Sequence, residues 1–493
     1  MIELIQRAKA RKGRVAIRSN DTDYTYGDLL AQSERVASFL LGNKMDLKEE
    51  RIAFLISPSY EYVVAQWAIW RAGGIAVPLC DLHPAESMKY VLENTKASLV
   101  LTENSYVGRL EGMCESLDVP LIDVADIENS KVGMPMPDLD QQRRAMILYT
   151  SGTTALPKGV VTTHGNISSQ ILTLVKAWSW SSDDQILNIL PLHHVHGIIN
   201  ILGCALWAGA CCEFMPKFEV GTVFNRLSDG DLNLFMAVPT IYYKLIQHWE
   251  DQELMKRSKF SKSLKTYRLN VSGSAALPES VLEKWKSITG QILLERYGMT
   301  EIGMALSNPY HGERRPGHVG LPLPHVSVRL VDDVDAEVEP GREGEIQVKG
   351  PSVFTEYWNN PTATQDAFSS DGWFRTGDVA ILSNGYYKIL GRSSVDIIKS
   401  GGYKISALEI ESVLLRHDHV AQCAVVGILD EEWGEVVGSV VVANSDEASQ
   451  DELIEFLRDK LPAYKIPRKW KWSDSLPRNA LGKVLKNEVK KYF

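Results

Sequence analysis

Between Asp23 and Glu103 the hydrophobic positions switch back and forth between two periods. The stretch YGDLLAQSERVASFLL spaces its apolar residues three and four apart, as a helix with one buried face does. RIAFLI, GIAVPL and ASLVL are instead short unbroken apolar runs, the kind that a sheet buries on both faces. Ser57 and Pro58 read as the N-cap and first position of a second helix, and a third is expected from Pro84. Strands and helices taking turns predict βα units on a largely parallel sheet. A second such run extends from Asp184 to Leu294, with ILNILPL, CCEFM, LNLFMAV and YRLNVSG as its strands.

The pattern changes after Tyr297. Between Val319 and Lys388 the strands are short and interrupted by Gly, Pro and Asp, which predicts an antiparallel or barrel-like subdomain. Within it the acidic VDDVDAEVEPGREGE, Val331 to Glu345, reads as a solvated hairpin loop. From Gly391 a small unit begins, with helices ISALEIESVLL and DELIEFLRDKL and strands around CAVVGI and VVGSVVVA. The expected fold is α/β: a large N-terminal domain, 1–390, of βα-layered sheets plus a small β-barrel-like subdomain, then an α+β domain, 391–493.

Composition narrows the function classes. The chain of 493 residues carries a net charge of −9, so no electrostatic footprint for nucleic acid or an anionic membrane is expected. Hydrophobic residues at 44% and charged residues at 23% are those of a soluble globular protein. Six cysteines form no CxxC pair, which speaks against a zinc site or a disulfide scaffold and for a reducing compartment. The longest uncharged stretch, Leu192 to Cys212, contains His, Asn and Gly and reads as a buried helix behind a loop, not a membrane span. The N-terminus resembles neither a secretory signal nor a clear transit peptide. The expected location is cytoplasmic, or the mitochondrial matrix if a presequence has been removed, with a monomer or a homodimer equally open.

YTSGTTALPKG, Tyr149 to Gly159, follows the apolar strand AMIL and packs small residues, hydroxyls and one ammonium into eleven positions. Such a loop can fold closely round an anion. It is not a P-loop, because Lys158 precedes Gly159 and no GK[ST] occurs. Taken alone it is either an ordinary turn or a phosphate-gripping loop.

Six further motifs accompany it in order: PLHHVHG at Pro191, SGSAALP at Ser272, ERYGMTE at Glu295, RTGD at Arg375, GRSSVDIIKSGGYKI at Gly391 and PRNALGK at Pro477. With these the whole chain resembles the adenylate-forming superfamily of acyl-CoA synthetases, adenylation domains and luciferases. The resemblance implies two steps: a carboxylate attacks the α-phosphate of MgATP to give an acyl adenylate and pyrophosphate, and a thiol, here CoA, then displaces AMP. It implies that Thr150, Ser151, Gly152, Thr153, Thr154 and Lys158 hold the β- and γ-phosphates, that Thr300 bonds the α-phosphate, and that Glu301 binds Mg²⁺. Gly273, Ser274 and Ala275 would floor the adenine, Tyr297 beside Gly298 would stack on it, Asp378 would bond the ribose diol, and Arg392 would sit near ribose and phosphates. Lys483 would bridge the carboxylate and the α-phosphate, and His194 would gate the acyl and thiol tunnels. The small domain is expected to be mobile, pivoting at Ser393 or Ser394 so that Lys399, Gly401, Gly402 and Tyr403 shape the thiol tunnel. Three His in four positions, His193, His194 and His196, invite a metal reading, but no Cys or carboxylate lies at ligand spacing.

The acid is signalled by Arg296. ERYGMTE, SGSAALP, MAVPTIYYK and LSNP together resemble the malonyl-CoA synthetases of fatty acid metabolism. A guanidinium buried beside the acyl site without a partner is costly, so it asks for an anion, and malonate offers a second carboxylate to be held. A protein carboxylate could serve instead, although the neighbouring Glu295 should face the other side of its strand. Ser274 could add a hydroxyl. Lys244, where some malonate-specific relatives carry Arg, keeps the charge without the fork and leaves room for methylmalonate. Other short or dicarboxylic acids, or a silent nucleotide-binding relative, are the alternatives.

Overall fold

The structure is a computed structural model, and it describes residues 2–127, 135–150, 157–215, 217–401, 403–444, 449–479 and 482–493. A large N-terminal α/β domain precedes a smaller C-terminal α+β domain.

The alternation read from the first hundred residues becomes a seven-stranded sheet. Strands Arg51–Leu55, Ile75–Pro78 and Leu99–Thr102 lie parallel in it, joined by helices Tyr60–Arg71 and Ala85–Thr95. Helix Tyr26–Leu41 starts at a capping box, in which Thr25 accepts from the Asp28 N–H and the Asp28 carboxylate accepts from Thr25 N–H. One expected start shifts: Ser59, not Ser57, caps helix Tyr60–Arg71, accepting from Tyr62 N–H. The Ser57 hydroxyl is drawn away to Glu103 Oε1 at 2.8 Å. Strands Arg144–Thr150 and Lys158–Thr163 close this sheet's functional end as an antiparallel hairpin that pairs Thr150 with Lys158.

The second run forms a nine-stranded sheet. Gln185–Asn188, Cys211–Phe214, Leu234–Ala237, Leu269–Ser272 and Leu294–Met299 are parallel, and Gly303–Ser307 turns back antiparallel beside the last. The uncharged stretch is a buried helix behind a loop, as its composition implied: His196–Gly203 is wound as a π-helix and continues as Cys204–Ala208. Ser327–Val331, Glu343–Lys349, Phe374–Ser383 and Tyr386–Arg392 make the expected antiparallel sheet. Its bonded path runs in that order, and no ladder among the described residues joins its ends into a closed barrel. The acidic stretch is the hairpin between the first two of these strands, although Asp335 is more than solvated, since it pairs with Arg375 at 2.6 Å.

In the C-terminal part, helices Ala407–Leu414 and Gln450–Arg458 pack on the long antiparallel pair Val420–Asp430 and Gly434–Ala443. The apolar clusters here draw only on residues from Ile398 onward, and the larger clusters end at Ile389, so the two cores are separate. All six cysteines are free, and no described helix is long and apolar enough to cross a membrane.

Candidate active site

In an open parallel sheet, ligands gather beyond the carboxyl ends of the strands, where chain ends and helix starts leave a crevice. Two motifs occupy that edge of the nine-stranded sheet. Gly273, Ser274 and Ala275 follow Leu269–Ser272, while Arg296, Tyr297 and Gly298 lie on Leu294–Met299, with Thr300 and Glu301 in its turn. Gly298 is obligatory here, because a Cβ would lie 2.0 Å from the Gly303 carbonyl oxygen across the bulged hairpin.

Asp378 is buried on strand Phe374–Ser383 and faces Arg392 in the next strand. It accepts from Arg392 Nε at 2.8 Å and from the Tyr297 hydroxyl at 2.6 Å. The expected ribose carboxylate, adenine ring and cation are therefore brought together, with Tyr297 and Arg392 as partners of Asp378. Buried Glu301 accepts from the Tyr357 hydroxyl at 3.0 Å, and Lys158 Nζ sits 5.0 Å from the centre of the same tyrosine ring. Burial raises the Glu301 pKa, while Tyr357, Arg392 and Lys158 pull it back. A carboxylate next to the Thr300 hydroxyl is the hard oxygen set that Mg²⁺ takes, alongside phosphate oxygens. Tyr357 is a residue the motif reading missed, since a lone Tyr in EYWNN carries no signature.

Lys483 is supplied by the small domain. It keeps an exposed surface, yet its ammonium is held below the usual lysine pKa by lost hydration first and then by Arg392, opposed by Asp378 and followed by Arg296. It also acts on His194, whose pKa is pushed down to about 4 by burial and then by Lys483 and His83. Lys483 is thus close enough to Arg392, Asp378, Arg296 and His194, all expected around one reacting centre, to feel each of them.

Arg296 is 4% exposed, and among the described residues it has no carboxylate within ion-pair reach. Its Nη2 donates to Ser274 Oγ at 3.3 Å and its Nε has no partner. Burial alone depresses its pKa to about 9. Glu295 does face the other way: it accepts from Gly317 N–H at 3.1 Å, and burial raises its pKa to about 8, so it is neutral at pH 7. Gly273 makes room for the guanidinium, since a Cβ there would lie 2.5 Å from Arg296 Cζ. Ser274, at φ +70°, bonds in turn with His196 Nδ1 at 3.2 Å. Because Arg can only donate, Ser274 Oγ accepts from Arg296, and the direction of its bond to His196 Nδ1 follows the tautomer of that ring. Burial, then Arg296 and His194, hold His196 far below its ordinary pKa.

Lys244 is not brought to Arg296. It lies on the exposed side of helix Pro239–Glu250, 5.7 Å from the Phe218 ring centre, because Ile241, Tyr242, Leu245 and Ile246 take the core face. Lys399, Gly401 and Tyr403 lie on the hairpin Ile397–Ser400/Tyr403–Ser406 of the small domain, where Gly401 backs onto Trp433. Ser393 donates its N–H to the Gly377 carbonyl, and Ser394 follows it in the connection between domains. Ser151, Gly152, Thr153, Thr154 and Gly402 fall outside the described residues.

The histidines of PLHHVHG are brought beside one another and His83, with ring centres of His193 and His194 4.1 Å apart. Among the described residues the one group of three possible ligands is His417, His419 and Glu452, far along the small domain. There His417 Nδ1 accepts from His419 N–H at 3.2 Å, which leaves its proton on Nε2, the atom aimed at Glu452.

Two family models match the chain, AMP-binding enzyme over residues 4–358 and AMP-binding enzyme C-terminal domain over 409–483. The chain belongs to the AMP-binding enzyme family. This AMP-binding enzyme is 44% identical to a mitochondrial malonate–CoA ligase of Xenopus laevis, over 100% of its own length and 92% of the relative's. It is 39% identical to a malonate–CoA ligase of Arabidopsis thaliana, over 97% and 86% of the two lengths. Among solved structures it matches ATP-bound MatB from Rhodopseudomonas palustris with a TM-score of 0.92 at 32% identity, covering 100% and 98% of the chains. It also matches o-succinylbenzoate coenzyme A synthetase from Bacillus subtilis in complex with ATP and magnesium ion, with a TM-score of 0.87 at 29% identity and 99% of both chains covered.

Proposed function

We propose that this enzyme is an ATP-dependent malonate–CoA ligase that works through malonyl-AMP and releases pyrophosphate and AMP. The observation that carries the acid is Arg296, a buried cation with an unpartnered Nε and no counterion among the described residues. Acetate would leave it unpaired. The second carboxylate of malonate supplies what the fork lacks, and a site of that type rejects the analogue without the group far better than an apolar pocket rejects a missing methylene.

Positioning and charge do the chemistry. Lys158 and the loop after Thr150 hold the outer phosphates, and Asp378 takes the ribose diol. Lys483, Arg392 and Thr300 stand where negative charge collects as one malonate oxygen bonds the α-phosphorus and its bond to pyrophosphate breaks. Thiol sulfur then bonds the acyl carbon, the carbon–oxygen bond to AMP breaks, and the thiol proton leaves to solvent. Neutral His194, beside the reacting centre, gives the thiol path a wall that adds no charge.

The separate cores support a division at 390/391, with the second unit mobile about Ser393 and Ser394 and Lys399, Gly401, Gly402 and Tyr403 facing CoA. A cytoplasmic or mitochondrial-matrix location suits these substrates. Lys244, exposed and clear of Arg296, leaves the α-carbon side of the acid loosely policed, which favours methylmalonate as a second substrate. Pyrophosphate release measured with malonate, methylmalonate, succinate, acetate and an aromatic acid tests the assignment. Malonate should lead acetate by about 10²-fold or more in kcat/KM, and equal rates would overturn it.

A further inference from the structure

Lys483 rides on a narrow tip. Asn479 and Lys483 exchange backbone and side-chain bonds at 2.9 and 3.0 Å, Arg478 Nη1 grips the Gly482 carbonyl at 2.6 Å, and Leu485 N–H returns to Pro477 at 2.8 Å. These bonds shape the tip but do not say where it sits. Three residues beyond Lys483, Lys486 opens the last helix and is 8% exposed, which is unusual for a lysine. Its ammonium lies 2.6 Å from Asp396 Oδ1 and 2.7 Å from Glu411 Oε1, at ion-pair distance although off the ideal hydrogen-bond direction.

Both carboxylates are themselves fixed. Glu411 Oε1 accepts from Val425 N–H at 2.7 Å. Asp396 Oδ2 accepts from the Arg392 N–H at 3.0 Å, and Gly391 lets it approach so closely that a Cβ there would fall 2.4 Å from Asp396 Cβ. Arg392 in turn holds Asp378 through its guanidinium. One chain of contacts therefore runs from the tip, through buried Lys486, half-buried Asp396 and the Arg392 backbone, to the carboxylate expected to hold the ribose.

We propose that Lys486 is a positioning residue for Lys483: clamped by Asp396 and Glu411, it fixes the tip relative to Arg392 and Asp378, so that the bridging cation and the nucleotide site share one frame. This rests on the ligase reading above. Lys486 touches neither substrate, and its effect must pass through Lys483. In malonate-dependent ATP–pyrophosphate exchange, Lys486→Met should lower kcat by about 10²-fold, the scale of a misplaced catalytic group, with KM for ATP changed less than about threefold. Lys486→Arg should restore most of the rate. In a Lys483→Ala background, Lys486→Met should cost less than about twofold more, because residues that act as one unit are not additive.

Full additivity in the double variant, or unchanged exchange in Lys486→Met, overturns the proposal. Should Lys486→Met fail to fold for want of a charge between two buried carboxylates, Glu411→Gln keeps the cation, removes one clamp and should move kcat the same way. A wild-type enzyme without malonate-dependent exchange would strike the ligase reading instead. Amide hydrogen exchange then decides the positioning: the amides of Asn479, Gly482, Lys483 and Leu485 should exchange about tenfold faster in Lys486→Met, and unchanged protection overturns it.

Discussion

Arg296 is the residue at which stability and function pull apart. A guanidinium taken out of water with only the Ser274 hydroxyl for company costs the folded protein free energy that no internal contact returns. Replacing it by Met should therefore raise the melting temperature of the ligand-free enzyme. The same change removes the anchor for the second carboxylate, so kcat/KM for malonate should fall by about 10²–10³-fold, the cost of unpairing a buried charge. The acetate rate should change little, and the thermal shift produced by added malonate should vanish. A Met variant that melts lower than wild type, or that keeps its malonate shift, would show that the cation is satisfied from within. Arg296 could be singled out in the sequence because Arg is rarely buried unpaired. Tyr357, Ser274 as an acceptor and His196 could not, since their contacts join segments between 22 and 78 residues apart in the chain or depend on a tautomer.

At the level of elements, strand Leu294–Met299 does two opposite things with adjacent side chains. Arg296 faces the acyl crevice, and Glu295 faces the loop at Gly317, where burial keeps it protonated up to about pH 8. A carboxyl with a raised folded pKa binds its proton more tightly folded than unfolded, so stability falls as pH climbs from its ordinary value near 4.5 to about 8. Glu295→Gln keeps the acceptor and removes the titration. Its melting temperature should match wild type at pH 4 and exceed it by at least about 3 °C at pH 9; a pH-independent difference would mean that folding does not shift the Glu295 pKa. The alternation behind this, like the βα order of both large sheets, was legible because period and capping are local properties. The start of helix Tyr60–Arg71 was not, because the competitor for Ser57 is Glu103, 46 residues away. Nor was the failure of Lys244 to reach Arg296, which follows from the phase of one helix against its core.

For the whole molecule, a net charge of −9 faces substrates that are all anions, so the proposed site relies on cations from both sides of the 390/391 division: Lys158 and Arg296 before it, Arg392 just past it and Lys483 on the small domain. What holds the second domain over the first is modest. Arg416 pairs with Glu279, and Lys404 lies 3.3 Å from Asp333, both at exposed surfaces. The Gly482 end of the tip approaches Thr240, where a Cβ would lie 3.4 Å from its hydroxyl. Exposed pairs contribute little each, and such weak docking suits the proposed rotation of the small domain. Arg416→Glu sets two carboxylates against each other at this contact. Malonate-dependent pyrophosphate release should fall by up to about fivefold, more at low salt than at high, as expected of a surface charge pair. Adding Glu279→Arg reverses the pair and should bring the rate back. If the single variant is silent at every ionic strength, or the reversed pair does not recover, this contact does not dock the domain, and the apposition must rest on the Asp396–Lys486 network and the cleft itself.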